Sequence, residues 1–182
     1  MKKILLIGDS IRIGYQEYVK STLEGKAEVV FPEENGMFSK YTLWAVNLWI
    51  NSLGKPDIIH FNTGLWDLHH EPPMVEALST KEEYIENLNR IINELERTGA
   101  KLIYATITPI AKDGKGRSNW EIDQYNKSAL ELMKNRNIEV NDLNFLVKEN
   151  LDEFICSDRL HLTEEGYKAC AKQVVEKLIR YI

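Results

Sequence analysis

Near its start the chain reads Lys3-Ile4-Leu5-Leu6-Ile7-Gly8-Asp9-Ser10, a short apolar run that ends at a glycine, an aspartate and a serine. The run is shorter than the apolar segment of a signal peptide, which spans about 7–15 residues. A short run of this kind is typical of a strand buried on both faces of a parallel sheet. We therefore interpret it as the first strand of an α/β protein that stays in the cytoplasm.

Four more short apolar runs follow, separated by longer amphipathic stretches. This alternation implies right-handed crossovers and a parallel sheet with helices on both faces. We predict a flavodoxin-like three-layer α/β/α sandwich with a five-stranded parallel sheet in the strand order 2-1-3-4-5. The predicted strands span 3–7, 27–31, 57–61, 101–107 and 138–141. The predicted helices span 12–23, 39–53, 79–98, 119–137 and 163–182, with Ser79 and Thr163 as N-caps of the third and fifth.

The composition is that of an ordinary globular chain of 182 residues, 43 % hydrophobic and 28 % charged, and we place a single domain at residues 1–182. The formal net charge is −5 and no Lys/Arg run stands out, so we expect no nucleic-acid partner. Nothing approaches the ~20 apolar residues of a membrane span, so we expect no membrane partner either. Two cysteines, Cys156 and Cys170, fit packed, reduced thiols of a cytoplasmic protein. The patterns leave the oligomeric state open.

A serine, a histidine and an aspartate stand where they could work together. Ser10 follows the first strand and opens a helix, although Ser10 or Asp9 could simply cap that helix. Asp158 and His161 share one turn before the last helix, so Asp158 can orient the imidazole. A serine hydroxyl is a poor nucleophile until an oriented base takes its proton. The three residues are therefore candidates for a catalytic triad.

Acyl transfer also needs hydrogen-bond donors for the oxyanion of its tetrahedral intermediate. Gly36 follows the second predicted strand, and a glycine can bring its N–H close to a ligand because it lacks a Cβ. A simple turn is the alternative role for Gly36. Asn62 begins the polar stretch after the third strand and is another candidate donor.

Four short motifs in this order resemble the SGNH, or GDSL-type, superfamily of serine hydrolases. Each motif is short, but the ordered set is specific and covers nearly the whole chain. The matching residues are Gly8-Asp9-Ser10, Gly36, Gly64-Leu65-Trp66-Asp67 and Asp158-Arg159-Leu160-His161, and Thr106-Ile107-Thr108-Pro109 also follows the family pattern.

The resemblance implies the SGNH hydrolase fold and a serine esterase that uses a Ser10–His161–Asp158 triad without metal or cofactor. In such enzymes the oxyanion is held by the N–H of the serine, the N–H of the second-motif glycine and the amide of a third-motif asparagine. This chain has Trp66 at the asparagine position. Trp66 could donate its indole N–H to the oxyanion, could line the pocket while Asn62 donates, or could mark weakened activity.

Four residues near these motifs are candidate substrate contacts: Asp9, Arg12, Asp67 and His69. The pair His69-His70 suggests a metal site at first sight, but adjacent histidines seldom bind one ion and no His-x-x-x-His spacing supports it. The loop that holds them is more simply interpreted as a rim of the substrate pocket. We expect no metal site.

The sequence thus predicts a cytoplasmic serine esterase that cleaves O-acyl esters, with an acetylated carbohydrate as the favoured small-molecule substrate. A small chain without an apolar lid suits a short acyl group, and four tryptophans offer faces that can stack on sugars, although most are expected in the core. The alternatives are a lysophospholipase or thioesterase that takes longer acyl chains, and a non-catalytic ligand-binding member of the fold. Sequence motifs do not separate these.

Overall fold

A computed structural model of the chain describes residues 1–111 and 116–182. Its centre is one sheet of five parallel strands in the order β2-β1-β3-β4-β5, which confirms the predicted strand order. The strands are β1 (Lys2–Ile7), β2 (Ala27–Val30), β3 (Ile58–Phe61), β4 (Lys101–Ala105) and β5 (Glu139–Asn141).

Helices surround the sheet in two packed groups. The first and last helices pack against each other, and the second, third and fourth pack in series. The helices are α1 (Ser10–Thr22), α2 (Ser39–Leu53), α3 (Lys81–Glu96), α4 (Asn119–Asn135), α5 (Leu143–Lys148), α6 (Leu151–Phe154) and α7 (Glu164–Leu178), followed by a 3-10 turn at Ile179–Tyr181. Within the described ranges, no helix has both the length and the apolar character needed to cross a bilayer.

Hydrophobic burial explains why the first run forms an interior strand of the sheet, between β2 and β3. Ile4, Leu5, Leu6 and Ile7 are all 0 % exposed, so side chains on both faces of β1 lie in the core. Every residue of β3 is also buried. This two-sided burial is the reason why these runs are continuously apolar rather than alternating.

The structure corrects one local prediction and adds two short helices. The N-cap of α3 is Thr80, whose hydroxyl accepts from the Glu83 N–H in a capping box, and not Ser79. Ser79 is occupied elsewhere, since its N–H donates to the Asp67 carbonyl and its carbonyl accepts from Tyr125. The short helices α5 and α6 were not predicted, because six and four residues carry too little periodicity to reveal a helix.

His60 is a fully buried polar residue in the middle of β3. Its Nε2 lies 3.0 Å from the Asn141 amide nitrogen, and its Nδ1 lies 3.5 Å from the Tyr15 hydroxyl. The Asn141 amide oxygen accepts from Gln173, so the Asn141 nitrogen donates to His60 and leaves the ring hydrogen on Nδ1. Burial lowers the pKa of His60 to about 3, so the native state holds this ring neutral.

We expect this histidine to make the fold less stable at mildly acidic pH. The unfolded chain takes up the His60 proton below pH ~6.5 and the native state does not, so stability falls as the pH falls through this range. Between pH 7 and pH 5 the loss from His60 should be about 2 kcal/mol. Urea unfolding of the native protein and of His60→Gln, which keeps one donor and one acceptor, measures it at both pH values. An equal loss in both proteins would show that His60 is not its source.

Candidate active site

Ser10 is the first residue of α1 and follows the carboxyl end of the interior strand β1. The preceding residue, Asp9, is the N-cap of the helix, and its Oδ1 accepts from the Ile11 N–H at 2.9 Å. The cap role therefore falls to Asp9. The Ser10 hydroxyl is left to face the turn between α6 and α7.

The turn between α6 and α7 brings His161 to that hydroxyl. His161 Nε2 lies 3.0 Å from Ser10 Oγ, across 151 positions of sequence. On the other side of the ring, His161 Nδ1 lies 2.6 Å from Asp158 Oδ2. The structure thus joins the three predicted residues in one chain of two hydrogen bonds, in the geometry of a nucleophile, a base and the group that orients the base.

The turn is built to keep Asp158 ionised. Asp158 Oδ1 accepts from the backbone N–H groups of Leu160 and His161, at 3.0 and 2.9 Å. Burial by itself raises the pKa of Asp158, but these hydrogen bonds, with the one to the imidazole, outweigh it and hold the pKa well below its ordinary value. A permanent carboxylate is suited to stabilise an imidazolium formed at His161.

Gly36 corrects one prediction about the oxyanion donors. Its N–H is already engaged, because it donates to the Gly8 carbonyl at 3.0 Å. A Cβ at position 36 would lie 2.7 Å from that oxygen, so the glycine is needed for close approach of two backbone segments. In this structure the donor role assigned to Gly36 does not fit.

Asn62 and Trp66 both follow β3, whose carboxyl end lies at the same edge of the sheet as the carboxyl end of β1. The Asn62 amide nitrogen donates to the Ala105 carbonyl at 2.8 Å, which uses one of its two hydrogens. With Asp9 and Leu65, Asn62 lines a small cavity beside the start of α1. Trp66 lies half-buried in the turn after Gly64.

Three of the four predicted substrate contacts are buried and engaged in the protein itself. Asp9 and Arg12 are each 1 % exposed and Asp67 is 0 % exposed. The Asp67 carboxylate accepts from the N–H and the hydroxyl of Ser39 and so fastens the start of α2. These three side chains do not face a substrate, contrary to the prediction. His69 is half-buried beside Glu71 and remains a candidate.

Arg12 instead ties the loop after β2 to the helix that carries Ser10. Its guanidinium donates to the Pro32 carbonyl at 2.8 Å, to the Glu34 carbonyl at 2.6 Å and to the Gly8 carbonyl at 3.3 Å. Burial lowers the pKa of Arg12 to about 10, against the raising effect of neighbouring groups that include Asp9. The side chain remains a cation at neutral pH and acts as a structural clamp.

Sequence reasoning missed two residues near this site. Arg117 donates from Nε to the Leu65 carbonyl at 2.6 Å and so connects the loops after β3 and β4. Its charge also acts on the buried Asp9 carboxyl, whose pKa is raised by burial and lowered in part by its neighbours. Cys156 contacts Asp158, two positions away. Cys156 could have been found from the sequence, because it stands only two positions before the Asp-x-x-His motif. Arg117 could not, because it stands in a loop without a motif.

No group of three metal-binding side chains lies close together in residues 1–111 and 116–182. Residues 112–115, in the loop after the fourth predicted strand, lie outside the described part of the chain.

Comparison with known proteins gives one family and a set of similar folds. The model of the GDSL-like lipase/acylhydrolase family matches residues 6–169. An acetyl xylan esterase structure has a TM-score of 0.81 at 18 % identity, covering 97 % of this chain and 99 % of its own. A catalytic mutant of an acetylxylan esterase from Geobacillus stearothermophilus has a TM-score of 0.80 at 19 % identity, covering 97 % and 94 %.

A GDSL-like lipase from Bacteroides thetaiotaomicron has a TM-score of 0.75 at 14 % identity, and the match covers 100 % of this chain and 89 % of the lipase. At such identities the likeness establishes the fold. Among curated proteins, none matches the sequence significantly.

Proposed function

The chain belongs to the GDSL-like lipase/acylhydrolase family and is an ester-cleaving hydrolase, and from this premise we propose that it removes acetyl groups from carbohydrate esters by means of Ser10, His161 and Asp158. The observation that carries the proposal is the chain of hydrogen bonds from Ser10 through His161 to Asp158. No other serine of the described residues has a histidine nitrogen among its hydrogen bonds.

In the proposed reaction Ser10 Oγ attacks the ester carbonyl while its proton passes to His161 Nε2, 3.0 Å away. The imidazolium is stabilised by the Asp158 carboxylate on Nδ1 and then gives the proton to the departing alcohol. A water molecule attacks the acetyl-serine next, with His161 again as the base. Acetate leaves and Ser10 regains its proton.

Two donors are available for the oxyanion near Ser10. The Ser10 N–H belongs to the first turn of α1, where backbone N–H groups lack helical partners and the helix dipole favours a negative charge. The second hydrogen of the Asn62 amide, which is not needed for the Ala105 carbonyl, is the other. We assign Trp66 to the wall of the acyl pocket.

Two substitutions separate these assignments. Trp66→Phe keeps most of the bulk and removes the indole N–H, so it should lower kcat/KM by less than about tenfold. Asn62→Ala removes a proposed oxyanion donor and should lower kcat by about 10². Steady-state kinetics on an acetyl ester measure both. A hundredfold loss of kcat in folded Trp66→Phe, with a small loss in Asn62→Ala, would reverse the two roles.

Three features support an acetylated carbohydrate as the substrate. Two of the compared structures are of acetylxylan esterases. Two tryptophans, Trp44 and Trp120, are mostly exposed, at 66 % and 71 %, and exposed aromatic faces are able to pack on sugar rings, while Trp49 lies in the core. A pocket wall formed by the bulky Trp66 suits a two-carbon acyl group better than a long chain.

The substrate proposal is tested by acyl chain length and by the alcohol released. Acetate release from an acetylated xylo-oligosaccharide should exceed hydrolysis of a butyryl ester and of a lysophospholipid, and Ser10→Ala should abolish it. Preference for the lysophospholipid or for an acyl thioester would instead indicate a lysophospholipase or thioesterase that takes longer acyl chains. A folded protein without turnover of any ester would be a binding member of the fold.

A further inference from the structure

Cys156 lies directly against the aspartate of the proposed triad. Its sulfur is 3.2 Å from Asp158 Oδ1 and 3.1 Å from the His161 carbonyl oxygen. A thiol has one hydrogen and donates it weakly to neutral acceptors and more strongly to a charged one. The His161 carbonyl already accepts from the Cys156 N–H at 2.9 Å. The carboxylate is therefore the better acceptor for the thiol hydrogen.

The two oxygens of Asp158 have separate tasks. Oδ2 meets the imidazole at 2.6 Å, while Oδ1 accepts the N–H groups of Leu160 and His161 and faces the thiol. The backbone of Cys156 also closes this turn, since its carbonyl accepts from the Arg159 N–H at 2.9 Å. Arg159 has a positive φ of 70°, a backbone conformation that residues other than glycine seldom adopt.

We propose that the Cys156 thiol is a positioning residue for the ester hydrolysis: it donates to Asp158 Oδ1, fixes the carboxylate plane and so aims Oδ2 at His161. This inference rests on the proposed triad. The donor does two things at once. It limits rotation of the carboxylate about its terminal bond, and it withdraws part of the negative charge that would otherwise act on the imidazole.

The thiol is held in the protonated form that this role requires. Burial and the hydrogen bond to Asp158 raise the pKa of the Cys156 thiol above its usual range. At neutral pH the group is a donor and a poor nucleophile, since the thiolate is the reactive form. Attack on the ester by Cys156 in place of Ser10 is therefore disfavoured.

The inference is tested with Cys156→Ala and Cys156→Ser beside the native enzyme. The alanine variant should lower kcat on an acetyl ester by roughly fivefold, the equivalent of one hydrogen bond, with KM unchanged. The serine variant restores a donor and should return kcat to within about twofold. Cys170→Ala is the matched control, because it removes the chain's other thiol from the buried face of α7 without touching Asp158.

The pH profile gives a readout that a purely structural role would not move. Without the thiol, Asp158 carries more charge toward the imidazole and favours its protonated form. The acid limb of the kcat/KM profile should therefore move to higher pH in Cys156→Ala and not in Cys170→Ala. If Cys156→Ala does not fold, Cys156→Val, which has no donor and a similar volume, takes its place.

Unchanged kcat and an unchanged acid limb in the donor-free variant would overturn the inference, and so would equal losses in the serine and alanine variants, because volume alone would then matter. Failure of the proposed function looks different: the native enzyme would then lack esterase activity, or Ser10→Ala would retain it.

Discussion

Replacing Ser10 with alanine should lower kcat/KM for an acetyl ester by at least about 10⁴-fold, because it removes the hydroxyl that forms the proposed acyl-enzyme. The hydroxyl lies 3.0 Å from His161 Nε2, and the helix cap comes from Asp9 rather than from Ser10. The substitution should therefore leave the unfolding temperature nearly unchanged. The measurement is steady-state hydrolysis of p-nitrophenyl acetate, with thermal unfolding followed in parallel.

Ser21→Ala is the matched control for this prediction. Ser21 lies on the same helix, is exposed, and donates only to the Tyr18 carbonyl at 3.1 Å. Full activity in Ser21→Ala beside an inactive Ser10→Ala locates the effect at the start of α1. Substantial turnover by a folded Ser10→Ala enzyme would contradict the assignment of the nucleophile.

Removing His161 should cost nearly as much as removing Ser10, and the two losses should not add. Each residue serves the other's step, so Ser10→Ala/His161→Ala should be little worse than either single variant. Asp158→Asn should leave a larger residual activity, because the amide can still accept the Nδ1 hydrogen but no longer stabilises an imidazolium by charge. Kinetics of the three single variants and the double variant measure this.

Asp152→Asn controls for the loss of a carboxylate in the same region. Asp152 is exposed on α6, six positions before Asp158. Its replacement should leave kcat within about twofold of the native value. Additive losses in the double variant would mean that Ser10 and His161 act in separate processes.

The fold could be predicted because its signals are local. The runs around β1 and β3 are continuously apolar and are buried on both faces, and their alternation with amphipathic stretches limits the topology to a few arrangements. The contact between Asp158 and His161 is also local, since three positions separate the two residues. Only its meeting with Ser10 depends on the fold.

The remaining assignments at the site depend on contacts between distant backbone segments, and the sequence does not show these. Gly36 donates to Gly8 across 28 positions, so its engaged N–H has no signature in the motif. Arg12 carries a full charge and would be assigned to the surface on composition alone. Its burial depends on carbonyl oxygens that the loop after β2 brings to it.

The central claim is that Ser10 is an activated nucleophile, and covalent labelling tests it most directly. A fluorophosphonate reacts with a serine only when a neighbouring base accepts the hydroxyl proton. Peptide mass spectrometry of the labelled native protein should place one adduct on Ser10, and His161→Ala should prevent its formation. An adduct on another residue, or no adduct on the folded native protein, would contradict the account.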